Sequence, residues 1–288
     1  MMPPIRDLSR NWKFLKPISV ALALAGCAAG GSSESPNAGM LPSTAPAAST
    51  DRLCTDGARR TVGPYMIENN LWNKRDATRY SQCVSLTDAG KGAVTAVLDW
   101  SWTVKPDGIR AYPELIYGQK PWNASTTPAL PRVIDSLQAV SVGTGFTQTR
   151  DAAANGNLAF DIWLTSSNQR PAGSDHLPIK VELMIWLDAF GGAVPAGAVI
   201  GSVDIGGTTW DVYRTTATWG PEPWLYVAYK ARSLPASPLQ LDVLAFLRNL
   251  KQRGSITGRE WLASIEVGNE IVAGKGTTTF SNFSVSVK

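Results

Sequence analysis

From residue 61 onward the chain is cut into short runs of β-branched and aromatic residues by clusters of Gly, Pro, Asn and Asp. Runs at 93–104, 137–149, 158–166, 180–187, 199–205 and 208–214 have the length and composition of strands. The last two are separated only by Gly206-Gly207, which predicts a tight hairpin turn. One segment departs from this pattern. Ser237 is placed to cap a helix with Pro238 in its first turn, Leu241, Leu244, Ala245, Leu247 and Leu250 form an apolar stripe, and Gly254 ends it. A chain of many strands and one helix is an all-β protein: a sandwich of two antiparallel sheets with the helix packed outside. No internal repeat is evident.

Two of the strand-like segments carry glutamates where a buried strand is expected. In KVELMIWL (residues 180–187), alternation puts Glu182, Met184 and Trp186 on one face and Val181, Leu183, Ile185 and Leu187 on the other. In SIEVGNEIVAG (residues 264–274), Ser264, Glu266, Gly268 and Glu270 share a face opposite Ile265, Val267, Asn269 and Ile271. A strand glutamate is ordinarily a solvated residue of an outer face. Two carboxylates held on a rigid sheet are also the equipment of glycosidic-bond cleavage, one protonating the leaving oxygen and one attacking or stabilising the sugar cation.

The surrounding residues favour the second reading. The two segments resemble the E-x-M-I-W and x-x-G-x-E signatures of glycoside hydrolase family 12, also called cellulase family H. NNLW at 69–72, YPE at 112–114, FDIWLTSS at 160–167, TWDVY at 209–213 and FSNFSVSV at 280–287 resemble further landmarks of that family, in the family's order. The resemblance covers nearly all of residues 51–288. It implies a β-jelly roll whose inner sheet bends into an open cleft, and a retaining endo-β-1,4-glucanase acting on cellulose-type or mixed-linkage β-glucan, with xyloglucan as the alternative substrate. By the same resemblance Glu182 matches the nucleophile and Glu270 the acid/base, with carboxyls about 5–5.5 Å apart. Asp161, which alternates with Trp163 and Thr165 against Phe160, Ile162 and Leu164, matches a third carboxylate that holds and tunes the nucleophile.

Substrate contacts are expected from Asn70 and Trp72, which match a donor-side subsite, from Tyr112 and Trp122, and from Met184, Trp186 and Glu266 around the carboxylates. Indole and phenol rings offer the broad apolar surface on which sugar rings stack. Trp100 and Trp102, and likewise Trp210 and Trp261, are read as packing. Two positions depart from the family pattern: Asn73 stands where a Gly is usual after Trp72, and Glu266 where a glutamine is common. An extra acid at 266 is expected to raise the pKa of Glu270 or shift the pH optimum upward. Rival readings are a non-catalytic β-glucan-binding module and a structural β-sandwich of the cell envelope.

At the N-terminus Arg6, Arg10, Lys13 and Lys16 precede a short apolar stretch at 18–24, the pattern of an export signal. Residues 24–27 (LAGC) resemble a bacterial lipobox, which implies lipidation of Cys27 and an anchor at the outer membrane or cell surface, an ordinary cleaved signal being the alternative. Removing residues 1–26 takes 4 of 27 basic and 1 of 23 acidic residues, leaving 23 against 22 and a net charge of +1. Nothing in that charge favours nucleic acid, for which a basic stripe is expected. Residues 27–50, nearly all Ala, Gly, Ser, Thr and Pro, read as a tether reaching about 25 Å, and residues 51–288 as the single domain of a monomer. With Cys27 lipidated, Cys54 and Cys83 remain as a pair in an exported chain and are expected to form a disulfide, two free thiols being the alternative. The single histidine, His176, lies in the loop sequence GSDHLP, so a His-ligated metal or a Ser-His-Asp triad has little to draw on. Glycine motifs for nucleotide cofactors are absent, and no cofactor or metal is expected.

Overall fold

The computed structural model describes residues 52–74, 77, 79–104, 108–220 and 222–288. The expected export signal, Cys27 and the expected tether lie outside the described residues. In chain order the elements are β1 (Arg59–Val62), β2 (Tyr65–Glu68), β3 (Tyr80–Gly90), β4 (Ala93–Trp102), β5 (Glu114–Gly118), β6 (Arg132–Val133), β7 (Val140–Arg150), β8 (Asn155–Thr165), β9 (Ile179–Phe190), β10 (Ala198–Ile205), β11 (Thr208–Ala217), β12 (Trp224–Ala231), β13 (Leu239–Asp242), α1 (Val243–Gln252), β14 (Trp261–Gly268) and β15 (Ile271–Val287). The larger sheet runs β1-β2-β5-β14-β8-β9-β12-β11-β10. The smaller runs β3-β4-β15-β7-β13, and the first residues of β15 also pair with β8, linking the two.

Strict alternation decides which residues enter the sandwich. Phe160, Ile162 and Leu164 of β8, Val181, Leu183, Ile185 and Leu187 of β9, and Ile265 and Val267 of β14 meet Val94, Ala96, Leu98, Phe280 and Phe283 of the smaller sheet in one core. The opposite faces of β8, β9 and β12 carry a second cluster: Ala159, Trp163, Met184, Trp186, Trp224 and Tyr226. A sheet with apolar side chains on both faces is covered on both, here by the smaller sheet and by the walls of a cleft.

The larger sheet outgrows its partner, and α1 closes the gap. Phe246 packs edge-on against Trp210 of β11 and Tyr229 of β12, both at 5.1 Å. The helix starts later than the sequence suggests. Residues Leu239–Asp242 alternate buried and exposed as strand β13 against β7, and Asp242 caps the helix by accepting from Ala245 N at 3.1 Å. Leu239 and Leu241 fit a strand period as well as a helical one, and pairing with β7 decides between them. The Gly254 stop and the Gly206-Gly207 turn, with φ of 68°, 61° and 77°, are as expected.

One pairing departs from a purely antiparallel sandwich: β12 lies parallel to β9, with Val227 opposite Leu183. Because β10 and β11 are antiparallel to their neighbours, Ala198, paired with Arg214, starts level with Leu183. The chain leaving Phe190 must therefore return about 23 Å along the strand direction within residues 191–197. This segment opens with a turn, in which Ala193 N donates to the Phe190 carbonyl at 3.3 Å, and forms a strap in which Ala193 and Ala196 pack on the second cluster. Gly197, at φ 87°, passes so close to β11 that a Cβ would lie 2.3 Å from the Arg214 carbonyl oxygen.

Cys54 and Cys83 form the expected disulfide. Next to it, Asn69 Nδ2 donates to the carbonyls of Thr55 and Gln82, both at 3.1 Å, and Gln82 Nε2 donates back to Asn69 Oδ1. The bridge thus braces the segment that carries Asn70 and Trp72.

Candidate active site

Register brings the carboxylates together. On the concave face Asp161 of β8 stands opposite Met184 of β9 and Glu266 of β14, and the next row places Trp163 between Glu182 and Ser264. Glu182 and Asp161 are 7% and 8% exposed. As the alternation implied, the two acids lie on neighbouring strands and face the same way.

Glu270 arrives by a different route. β14 stops at Gly268, where any Cβ would strike the Pro113 carbonyl oxygen at 2.2 Å, so Glu270 sits in the link between β14 and β15 rather than on a strand face shared with Glu266. Asn157 holds it there. Its Nδ2 donates to Glu270 Oε2, its Oδ1 accepts from Glu270 N at 3.0 Å, and its backbone N–H donates to the Glu270 carbonyl at 3.0 Å. Asn269 Nδ2 completes the clamp by donating to the Asn157 carbonyl at 2.8 Å.

Glu182 Oε2 accepts the indole Nε1–H of Trp224 at 2.6 Å, and Trp219 supplies a second hydrogen bond. Trp224, Trp219, Trp163, Trp122 and Tyr226 form a chain of edge-to-face contacts at 5.4–6.1 Å around it. In this dry setting burial lifts Glu182 to about 8, against the indole donors and with help from the charge of Glu270. Burial lifts Glu270 to about 7 against the Asn157 amide. Asp161 is pushed well above the usual carboxylate range, first by burial and then by Glu182 and Glu114, with Lys120 opposing. All three carboxyls are thus raised from the ordinary carboxylate range, the perturbation that suits a group to proton transfer.

The other expected site residues fall into distinct places. Trp72 is 50% exposed, the most exposed indole described, and its turn is fixed by Asn73, whose Nδ2 donates to the Ile109 carbonyl at 2.6 Å. Asn70 is half-buried and donates to Glu114 Oε1 at 2.8 Å. Trp122 is half-buried and stacks at 6.1 Å on His176, so the histidine edges the aromatic wall instead of lying free on the surface. Met184 and Trp186 form the floor, with Trp186 Nε1 and Tyr226 Oη each 3.4 Å from Met184 Sδ.

Three readings need correction. Tyr112 is 6% exposed with its hydroxyl donated to the Ala159 carbonyl at 3.0 Å, so it supports the floor rather than offering an open platform. Glu266 is wholly buried and cannot touch a ligand; Ser264 Oγ donates to it at 2.8 Å and Lys120 lies 3.7 Å away. Its electrostatic neighbours are Lys120, Glu114 and Asp161, and the shift of Glu270 comes from burial. Trp261 is only half-buried, whereas Trp100, Trp102 and Trp210 are packed as expected. Asn157, Lys120, Trp219 and Trp224 were not foreseen. Of these only Trp224 left a trace in the sequence, through its alternation with Tyr226 in WLYVAY.

Comparison with known proteins bears on the fold and the family. The chain is 29% identical to the xyloglucan-specific endo-beta-1,4-glucanase A of Emericella nidulans over 254 residues, covering 86% of this chain and 97% of that protein. It is 24% identical over 241 residues to a protein of Phytophthora nicotianae named inactive glycoside hydrolase XLP1, covering 82% and 91%. The native family 12 xyloglucanase from Bacillus licheniformis superposes with a TM-score of 0.70 at 22% identity, over 82% of this chain and all of that one. Residues 63–288 match the model of glycosyl hydrolase family 12. With its jelly roll, its concave sheet and its buried carboxylates in place, the chain belongs to glycosyl hydrolase family 12 and is a glycoside hydrolase.

Proposed function

We propose that the protein hydrolyses internal β-1,4 bonds of a cellulose-type or mixed-linkage β-glucan with retention of anomeric configuration, with Glu182 as nucleophile and Glu270 as acid/base. The observation that carries this reading is the buried Glu182 carboxylate, held by Trp224 and electrostatically coupled to Glu270. In the first step Glu182 attacks the anomeric carbon while Glu270 gives its proton to the leaving glycosidic oxygen. In the second, Glu270 takes a proton from water, which attacks the same carbon and frees Glu182. This chemistry requires a carboxyl separation of about 5–5.5 Å in the substrate complex.

The proton must rest on Glu270 and the charge on Glu182 at the start. Burial alone favours protonating Glu182, the more strongly raised of the two. Two indole donors oppose this, and Asp161, whose carboxyl burial first and then Glu182 push well above the usual carboxylate range, would supply a third with its acid hydrogen turned toward Glu182. Asp161 is thus the residue that favours the charged form of the nucleophile in the substrate complex, while burial keeps the Glu182 carboxyl at about 8 in the free protein. Trp72 is the sugar platform and Asn70 a hydroxyl partner beside it.

Xyloglucan is the second reading for the substrate, favoured by the name of the Emericella nidulans relative. Reducing-sugar release from carboxymethylcellulose, barley β-glucan and tamarind xyloglucan, with Glu182→Gln as control, chooses among them. Activity on at least one that disappears in the variant supports the proposal. Binding to a glucan without release from any substrate supports the non-catalytic alternative, the condition named for the Phytophthora relative. The Cys54–Cys83 disulfide supports export, and lipid labelling lost in Cys27→Ser tests the anchor.

A further inference from the structure

Beside the carboxylates lies a second cluster of charge that the proposed reaction does not use. Glu114 of β5 and Glu266 of β14 are both fully buried. Gly268 is opposite Glu114 and Glu266 is opposite Ile116, so the two glutamates are diagonal neighbours on the concave face, within reach of each other's side chains. Three of their four oxygens face identifiable groups. Glu114 Oε1 accepts from Asn70 and from Lys120, and Glu266 Oε1 accepts from Ser264. Glu266 Oε2 lies 3.7 Å from Lys120 Nζ, beyond hydrogen-bond length. Glu114 Oε2 and Glu266 Oε2 are left buried with no hydrogen-bond partner.

Two ionised glutamates would leave one excess negative charge in a dry site and two unsatisfied anionic oxygens. A buried anion without a partner is the costliest arrangement available, and a single proton removes both defects at once. We propose that Glu114 and Glu266 share one proton between these two oxygens, and that Lys120 neutralises the remaining charge, giving a neutral triad that positions Asn70 and stands beside Asp161. The contact between the two carboxyls raises Glu114 and lowers Glu266, the sign expected of an acid donating to a carboxylate, although burial is the largest influence on both.

Other groups face the triad. Glu68 stands directly opposite Glu114 across β2 and β5, and its own Oε2 is also unpartnered, but its Oε1 pairs with Arg59 at 2.8 Å, outside the triad. Tyr112 and Asp161 approach from the other side, and Asp161 feels Glu114 and Lys120 with opposite signs. A neutral triad leaves Asp161 balanced. Losing Lys120 leaves a net charge that raises Asp161 and, through it, Glu182.

Infrared difference spectra of the intact protein at pH 8 test the shared proton without reference to activity. Glu114→Gln and Glu266→Gln must each remove the same single carboxylic-acid C=O band, because either amide lets the remaining glutamate ionise against Lys120. Glu68→Gln must leave that band in place. A band that survives either of the first two changes, or that disappears with Glu68→Gln, overturns the assignment. The Glu114→Gln/Glu266→Gln double variant, with Lys120 unpaired, must melt below the sum of the two single effects. Should a single variant fail to fold, carbon-13-labelled glutamate in the wild type decides. A carboxyl pair at shifts between acid and carboxylate, constant from pH 5 to 8, supports the proposal, and two fully ionised resonances refute it. The effect on chemistry rests on the glucanase reading: Lys120→Met must move the acidic limb of kcat/KM upward by about half a pH unit or more, and an unmoved limb with the infrared result intact refutes only that coupling.

Discussion

Replacing Glu182 with glutamine should abolish turnover and at the same time stabilise the protein, by an amount that depends on pH. Burial holds the folded carboxyl at about 8, against 4.5 for an ordinary glutamate. Below 4.5 both folded and unfolded forms are protonated and the group costs nothing. Between 4.5 and 8 the folded state keeps a proton that the unfolded state releases, so stability falls as pH rises through this window and levels off above it. At pH 7 that is about 2.5 pH units at about 1.36 kcal/mol each, or about 3 kcal/mol. Glutamine carries no such penalty. Glu182→Gln should therefore unfold in urea like the wild type at pH 4 and be more stable by about 2–3 kcal/mol at pH 7, a gain of about 5–10 °C in Tm for a domain of this size. The cost of placing a charge in the site is then the cost of function. An equal gain at both pH values, or a loss at pH 7, would refute the argument that burial raises this carboxyl.

Trp224→Phe removes a charge-assisted hydrogen bond from Glu182, so kcat/KM should fall about 10- to 100-fold and its acidic limb move to higher pH; an unmoved limb contradicts the role of the indole. Asn157→Ala frees Glu270 from the amide that lowers its pKa, so the alkaline limb, where the acid loses its proton, should rise above about 7 while kcat drops through lost orientation. Gly197→Ala should destabilise the domain by about 1–3 kcal/mol, measured by urea unfolding, and raise KM, because the strap cannot keep φ 87° beside the Arg214 carbonyl. Opening the Cys54–Cys83 loop with paired serines should cost about 2–4 kcal/mol and weaken glucan binding at Trp72 more than catalysis on short substrates.

The features with a period of two were legible in the sequence. Glu182 and Asp161 could be placed on one face because every neighbour in their strands alternates, and the Gly206-Gly207 turn needed only local chemistry. The signals that failed were those whose outcome depends on a distant partner. Leu239 and Leu241 satisfy strand and helix periods alike until β7 pairs with them. Glu270 continues the alternation of β14 on paper, but Gly268 and the Asn157 clamp end the strand first. Lys120 sits in a loop with nothing in its neighbourhood to mark it, and only the fold brings it to Glu114 and Glu266. Tyr112 illustrates the limit for aromatics, since the hydrogen bond that buries it comes from β8, 47 residues away.

The proposed attack of Glu182 on the sugar can be trapped directly. A 2-deoxy-2-fluoro-cellobioside with a good leaving group forms the glycosyl-enzyme faster than it is hydrolysed, so intact-mass and peptide spectra can locate the adduct. One fluoro-cellobiosyl unit per chain is expected, carried on the peptide containing Glu182 and absent from Glu182→Gln. An adduct on another carboxylate, or an active enzyme that forms none and releases product of inverted configuration, would contradict it.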